Sequence, residues 1–419
     1  MRYIVILCCF CLFSFLSYAQ TKGKILDGKT LLGLEGVNIY IFKDTLGIGI
    51  TNEKGEFDLQ MFRHCLDNDT IVFSYIGYQT LKCGLKKLKE NDYQVLLFEA
   101  SQCLGEVNIT AKRRSYFLDF KFVSTMPKRL FSFGSFLLGH KLYIVAGDET
   151  ETKLNKLGME YWEYRSSNIY VYDIERNLWE TKKYKVEDRA CHAAHFYNNR
   201  IFILGGVRYS TNRRMEYTDE KMEMYDLTKD TLYVESVNPH PAKNFTSLIY
   251  DNLLFVIGGS SKKNVFWDKI HALDLKRGYW YEIGDIPEKM QREMNGILVG
   301  HNVYFFGGKR TIPLWDINSY NLLTGEWKSL CDLKEAVSYP ALVTHNNLIF
   351  IYEYNTLQVY NVSTNMLYSY PINLELEYSS MHYYDSKLYI VGGCRTGGFG
   401  TVHPTAKVVS VDVSQLYKD

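Results

Sequence analysis

The segment "RIFILGG", residues 200–206, sets four bulky apolar residues directly against two glycines. An unbroken apolar run of this length fits a strand buried on both faces, and paired glycines mark a tight turn or a close backbone approach. Near-copies stand at "KLYIVAG" (141–147), "LLFVIGG" (253–259), "NVYFFGG" (302–308), "NLIFIYE" (347–353) and "KLYIVGG" (387–393). Their starts lie 59 residues apart at first and 40 at the end. Self-similarity at a period near ~50 residues marks an array of supersecondary units, none of which can bury its apolar faces alone. Six copies predict six units.

A second periodic element fixes the register. Each copy is followed by a loop and a β-prone run ending in Asp173, Asp226, Asp274, Asn321, Asn361 or Asp412. Six residues after the first five of these come Trp179, Leu232, Trp280, Trp327 and Leu367. Glycines, turn acid and Trp at a fixed offset together resemble the kelch repeat over residues 116–419, although repeat 5 lacks its glycines and repeat 1 keeps one. The resemblance implies an all-β chain with a six-bladed kelch β-propeller, each repeat one four-stranded antiparallel blade, with Trp or Leu filling the space between blades. The sixth repeat is incomplete, because only seven residues follow Asp412. The alternating segment "YFLDFKFVST" (116–125) is predicted to pair with it, close the ring and place Phe117 in the Trp position.

Ahead of the repeats, residues 20–110 alternate short β-prone runs with glycine and Asn/Asp turns, the pattern of antiparallel strands in a small β-sandwich. The order "GKILDGKTLLGLEGVNIYI", "GITNEKGEFDL", "IVFSYIGYQT", "LGEVNIT" resembles the carboxypeptidase regulatory-like (prealbumin-like) domain. That domain commonly opens Gram-negative outer-membrane receptors, so the resemblance implies a docking module and association with outer-membrane receptor machinery. No H-x-x-E or H-E-x-x-H pair accompanies it, so peptidase chemistry is not implied. The basic "AKRRS" (111–115) reads as the linker.

Residues 1–19 carry Arg2, an apolar run from Ile4 to Leu16 and small residues at Ser17 and Ala19, which reads as a signal peptide cleaved before Gln20. No later stretch is apolar for long enough to span a bilayer as a helix. The expected address is the periplasm or the outer-membrane surface of a Gram-negative bacterium. With 48 basic and 47 acidic residues interspersed along 419, no stripe of charge points to nucleic acid. Cys65, Cys83, Cys103, Cys191, Cys331 and Cys394 follow the leader without metal-finger spacing.

The candidate site lies where long loops (148–167, 207–221, 394–406) share one face of the propeller. Counting back from each glycine pair finds Arg129, Arg189, Lys243 and Arg292, joined from the loops by Arg208, Arg310 and Arg395. Guanidinium forks pair with carboxylates, so a ring of these seven would suit an anionic ligand. The competing reading is that they pair with neighbouring acids and hold the blades together. Tyr339 and Tyr378 stand at similar depth and offer a face for sugar stacking. Glu293 and Glu353 read as solvated carboxylates near the mouth. His192 and His195, three apart, are expected on opposite faces of a strand and so unable to share a metal. "NFTS" at Asn244 matches the N-glycosylation pattern by chance. No cofactor or metal is expected. The leading functional reading is a non-catalytic binding protein with a loop rim for a glycan or protein. The alternative, by resemblance, is a kelch-type sialic acid (N-acetylneuraminate) mutarotase or epimerase using Arg189, Arg292 and Glu293.

Overall fold

The structure, a computed structural model, describes residues 21–42, 44–75, 78–98, 117–155, 158–162, 164–212, 215–262, 265–397 and 400–417. The leader at 1–19, the linker at 111–115, Ile76 and Gly77 of "FSYIGY", and Cys103 lie outside them. The chain divides into two compact units, 1–108 and 109–419. Among the described residues, no helix is long and apolar enough to cross a membrane.

The first unit holds two sheets around one core. One sheet joins Lys22–Asp27 with Glu56–Asp58 and Gln94–Leu97, and the other joins Asn38–Ile41, Asp44–Ile50, Thr70–Ser74 and Leu81–Gly84. Ile25, Ile39, Phe57, Ile71, Phe73 and Val95 from both sheets meet between them. One pairing departs from the antiparallel expectation: Lys22–Asp27 and Gln94–Leu97 run parallel. The short helix Leu85–Glu90, which periodicity did not reveal, leads into Gln94–Leu97.

The second unit is a β-propeller of six blades. Blade 1 comprises Gly134–Leu138, Lys141–Asp148, Arg165–Asp173 and Leu178–Thr181. Blade 2 comprises Ala193–Tyr197, Arg200–Leu204, Lys221–Asp226 and Thr231–Val237, and blades 3 and 4 repeat the pattern from Thr246–Tyr250 and Glu293–Val299. In blade 5 the second and third strands merge into one element, Leu348–Asn361, between Ala341–His345 and Met366–Leu376. Blade 6 takes Ser380–Tyr384, Lys387–Val391 and Lys407–Asp412 from the end of the second unit and its outermost strand, Lys121–Thr125, from the start of that unit.

The apolar second strands are explained by packing on two sides. Leu142 and Ile144 face blade 6, whereas Tyr143 and Val145 face blade 2, so alternate residues feed two different cores. Six such cores lie among the described residues, one between each neighbouring pair of blades. Trp179, Leu232, Trp280, Trp327 and Leu367 each pack into the core shared with the preceding blade. Trp179 stacks on Tyr172 with ring centroids 4.7 Å apart and donates its indole N–H to Ser124 Oγ at 3.0 Å. The turn acids close their loops as expected, Asp226 accepting from the Thr228 and Lys229 amides at 2.9 and 3.0 Å. Gly206 shows why the pair is glycine: its φ is 81°, and a Cβ there would lie 2.4 Å from the Ala190 carbonyl oxygen.

Phe117 does not take the Trp position of blade 6. It is 55% exposed, whereas Leu118 is buried in the core between blades 5 and 6 and donates its amide to Pro371 O at 2.8 Å. A register shift between Val408 and Val409 opposite the closing strand upsets the residue count on which the Phe117 assignment rested.

Candidate functional site

Each innermost strand faces the propeller axis, and the segment leading into it turns sharply just before. Ser132, Cys191, Asn244 and Tyr378 adopt φ of 50°, 56°, 51° and 52°, the left-handed region that side chains ordinarily avoid. A chain of backbone hydrogen bonds holds them. Ser132 N donates to Tyr378 O (3.0 Å), Cys191 N to Ser132 O (2.8 Å), Asn244 N to Cys191 O (3.3 Å) and Met294 N to Asn244 O (3.1 Å). This collar links blades 6, 1, 2, 3 and 4 in sequence. From blade 5, Tyr339 reaches across the axis and donates its hydroxyl to Phe245 O at 2.9 Å. Burial pushes the Tyr339 phenol well above its ordinary pKa, so it stays a donor.

The cations predicted at this mouth do not converge on one carboxylate. Arg189 is fully buried, its Nη2 on Asp219 at 2.9 Å and Glu223 at 2.6 Å, with Nη1 on Gly205 O at 3.1 Å. Arg208 bonds to Glu187 and lies 3.6 Å from Asp219, the one acid that brings two of the seven together. Arg292, also buried, holds Asp316 at 2.7 Å. Arg129 pairs with Glu151 at 3.0 Å, Lys243 lies 3.9 Å from Glu216, and Arg395 lies 3.7 Å from Glu375. Arg310 donates to the Gln291 carbonyl at 2.9 Å and to that of Glu288. Each guanidinium or ammonium has an acidic or carbonyl oxygen within its own or an adjacent blade, and for the buried Arg189 and Arg292 that pairing offsets the cost of burying a charge. An eighth cation, Arg165, went unremarked in the sequence; it bridges Asp148 (2.7 Å) and Glu216 (2.5 Å) and stacks on Tyr209. Its only sequence signal was its place in the 148–167 loop.

The carboxylates are likewise engaged rather than solvated. Glu293 accepts from Asn244 Nδ2 at 2.9 Å and Ser260 Oγ at 2.6 Å. Glu353 accepts from the Ser338 and Tyr339 amides at 2.6 and 2.9 Å, and burial pushes its carboxyl up to about 7.

Below the collar, side chains from all six blades line an axial cavity of about 240 Å³. His195 Nε2 lies 2.7 Å from Ser247 Oγ, and His382 Nε2 lies 3.1 Å from Ser135 Oγ. His192 Nε2 accepts from the Gly134 amide at 3.2 Å. As the odd offset requires, His192 turns to Gly134 of blade 1 and His195 to Ser247 of blade 3, although both residues border the cavity. Burial drives His192 down to about 3 and His195 and His382 to about 4, so all three are neutral at physiological pH. Among the described residues that line the cavity there is no Asp, Glu, Lys or Arg, so none of them orients either Ser–His pair through a carboxylate. Among the described residues, no group of three or more His, Cys, Asp or Glu side chains is placed to hold a metal ion. Asn244 is 8% exposed, which closes the glycosylation pattern to modification in the folded chain.

Residues 132–352 match the KLHDC2/KLHL20/DRC7 Kelch-repeats domain family, more than half of the chain. The chain belongs to the kelch-repeat family. Residues 21–109 of this kelch protein match the CarboxypepD_reg-like domain family. It is 26% identical to Kelch-like protein 40 of Xenopus laevis over 216 residues, which are 47% of this chain and 34% of that one. It is 22% identical to alpha-scruin of Limulus polyphemus over 200 residues, 45% of this chain and 21% of that one. The kelch protein thus spans about a fifth to a third of the length of these curated relatives. The solved structure of YjhT superposes with a TM-score of 0.56 and 12% identity, covering 68% of this chain and 95% of that one, a likeness of fold.

Proposed function

We propose that this kelch protein is an exported, non-catalytic interaction protein whose propeller rim engages a protein partner, with the N-terminal sandwich as docking module. The observation that carries the reading is the rim itself. Between the second and third strands, blades 1, 2, 3 and 6 each raise a small hairpin on the same face, for example Val207–Tyr209 with Glu216–Thr218 and Ser260–Lys262 with Val265–Phe266. Along this face Tyr164, Met215, Tyr217, Val265, Ile312 and Trp315 are exposed, Met215 by 67% and Trp315 by 48%. Aromatic and Met side chains presented around a ring are the composition of a protein-binding surface. The leader-like opening segment supports export, and the regulatory-like domain supports association with outer-membrane machinery.

The pairing of the cations argues in the same direction. A mutarotase acting on an acidic sugar needs cations free for a carboxylate, and Arg189 and Arg292 are committed to Asp219, Glu223 and Asp316. The decisive test is photo-crosslinking in the cells that produce the protein, from Tyr217 and Trp315 on the rim and from Leu178 on an outer strand. The reading expects a discrete adduct from the rim positions alone, and equal labelling from all three would sink it. Proton NMR of freshly dissolved sialic acid is expected to show anomer exchange unaffected by the protein. Acceleration lost in Arg292→Ala would restore the enzyme.

A further inference from the structure

We propose that the end of the propeller opposite the rim is a membrane-docking surface, on which cations and apolar side chains from the blade turns seat the molecule on an anionic phospholipid bilayer. At this end each first strand passes into the second through a tight turn, Gly139–His140, Asn198–Asn199 and Asp251–Asn252 in blades 1–3, and each third strand passes into the fourth beside it. Backbone hydrogen bonds tie the two turns of a blade together, Ile174 N donating to His140 O at 3.0 Å and Leu227 N to Asn199 O at 3.0 Å. Lys141, Arg176, Arg200, Lys229, Lys276 and Arg277 are exposed at these turns. The turn acids face the other way: Asp173, Asp226 and Asp274 are buried, and each accepts a backbone amide of its own turn. The guanidinium of Arg176 stands 3.8 Å from Asp173 and that of Arg277 3.2 Å from Asp274, yet these two arginine side chains stay 78% and 73% exposed. The exposed acids of the same turns are Glu175, Asp230 and Asp251, of which Glu175 and Asp230 accept from Tyr384 and Tyr225. Cations therefore outnumber acids where these turns meet solvent. The charge is one-sided, because blades 4 and 5 have Thr324 and Thr364 where blades 1–3 have Arg176, Lys229 and Arg277.

Two observations favour a bilayer over other anionic partners. Leu178, Tyr279 and Leu323, at the third-to-fourth-strand turn of blades 1, 3 and 4, are each 63% exposed. A bilayer interface takes up apolar side chains while neighbouring Lys and Arg extend to its phosphates, whereas a soluble polyanion gives a leucine nothing to enter. Protein interfaces are depleted in Lys, and Leu is under-represented among their hot spots, which sets this end apart from the Tyr, Met and Trp of the rim. The second observation is shape. Among the described residues the small hairpins all lie between second and third strands, so none rises from this end and the charged turns share one level. A seat on lipid here leaves the rim facing away from the membrane and open to its partner.

The surface is independent of the rim, so each can fail alone. The test is flotation of the chain from Gln20 onward, so that the apolar opening segment plays no part, with vesicles of phosphatidylethanolamine and phosphatidylglycerol or of phosphatidylcholine alone. Binding to the anionic vesicles only is expected, fading between about 0.1 M and about 1 M salt as the screening length shrinks from about 10 Å to about 3 Å. Arg176→Gln combined with Arg277→Gln is expected to weaken binding about tenfold or more, and Leu178→Ser combined with Tyr279→Ser about fivefold or more. Lys289→Gln combined with Lys334→Gln removes the same charge from exposed positions at the rim end and is expected to leave binding unchanged. All three double variants should melt with the wild type. Failure to float, equal binding to phosphatidylcholine, or an equal loss in the rim-end control would overturn the proposal. Retention on heparin without flotation would also overturn it and give these turns to a soluble polyanion.

Discussion

Glu353 stands where other blades carry the second glycine of the pair, and its carboxylate takes up the amides of Ser338 and Tyr339 at the approach to the fifth inner strand. Burial holds its pKa at about 7, above the ordinary 4.5, so the folded chain binds this proton more tightly than the unfolded one. Its contribution to stability is therefore full below about 4.5 and is lost as pH rises through about 7. Urea midpoints taken from pH 5 to 8 are expected to fall for the wild type relative to Glu353→Gln, and parallel profiles would refute the assignment. At Arg189 the expectation is different in kind. Arg189→Ala leaves Glu223 buried without its cation and Asp219 with Arg208 alone, and is expected to cost about 3–5 kcal/mol. Arg129→Ala, which breaks an exposed pair with Glu151, is expected to cost about 0–1 kcal/mol. Equal losses in chemical denaturation would contradict the structural role given to Arg189. A basic residue before four of the six inner strands was legible in the sequence. Its partners were not, because Asp219 and Glu223 come from the far side of a blade, and nothing local marks which acid a guanidinium will meet.

At the scale of strands, what the sequence disclosed was whatever repeats locally. The turn acid and the Trp six residues later sit on one hairpin, so a fixed offset survives from blade to blade. The closing strand breaks that rule, since its partner comes from the other end of the propeller and its register shifts at Val408 and Val409. Counting along the chain therefore chose Phe117, and packing chose Leu118. Leu118→Ala is expected to destabilise by about 2–5 kcal/mol, as a buried leucine should, and Phe117→Ala to change stability by less than about 0.5 kcal/mol. Reversal of that order in thermal or urea unfolding would return Phe117 to the interblade position. The collar of left-handed residues was equally invisible, because Ser132, Cys191, Asn244 and Tyr378 share a backbone conformation and no side-chain chemistry.

For the molecule as a whole, the propeller ring depends on one joint. Removing residues 117–125 exposes the edge of Lys407–Asp412 and uncovers the core between blades 5 and 6. The truncated chain is expected to lose its single cooperative transition and to self-associate, which light scattering during refolding would register; a monomeric, sharply melting product would show that the joint is dispensable. The joint also sets a clock. Lys121–Thr125 leaves the ribosome well before its partner Lys407–Asp412, so at about 5–20 residues per second the early strand waits on the order of tens of seconds for the residues that complete its sheet. Through that interval the chain is an open ribbon of blades that can still be threaded through a narrow passage. Only when the sixth repeat arrives does that ribbon become a ring.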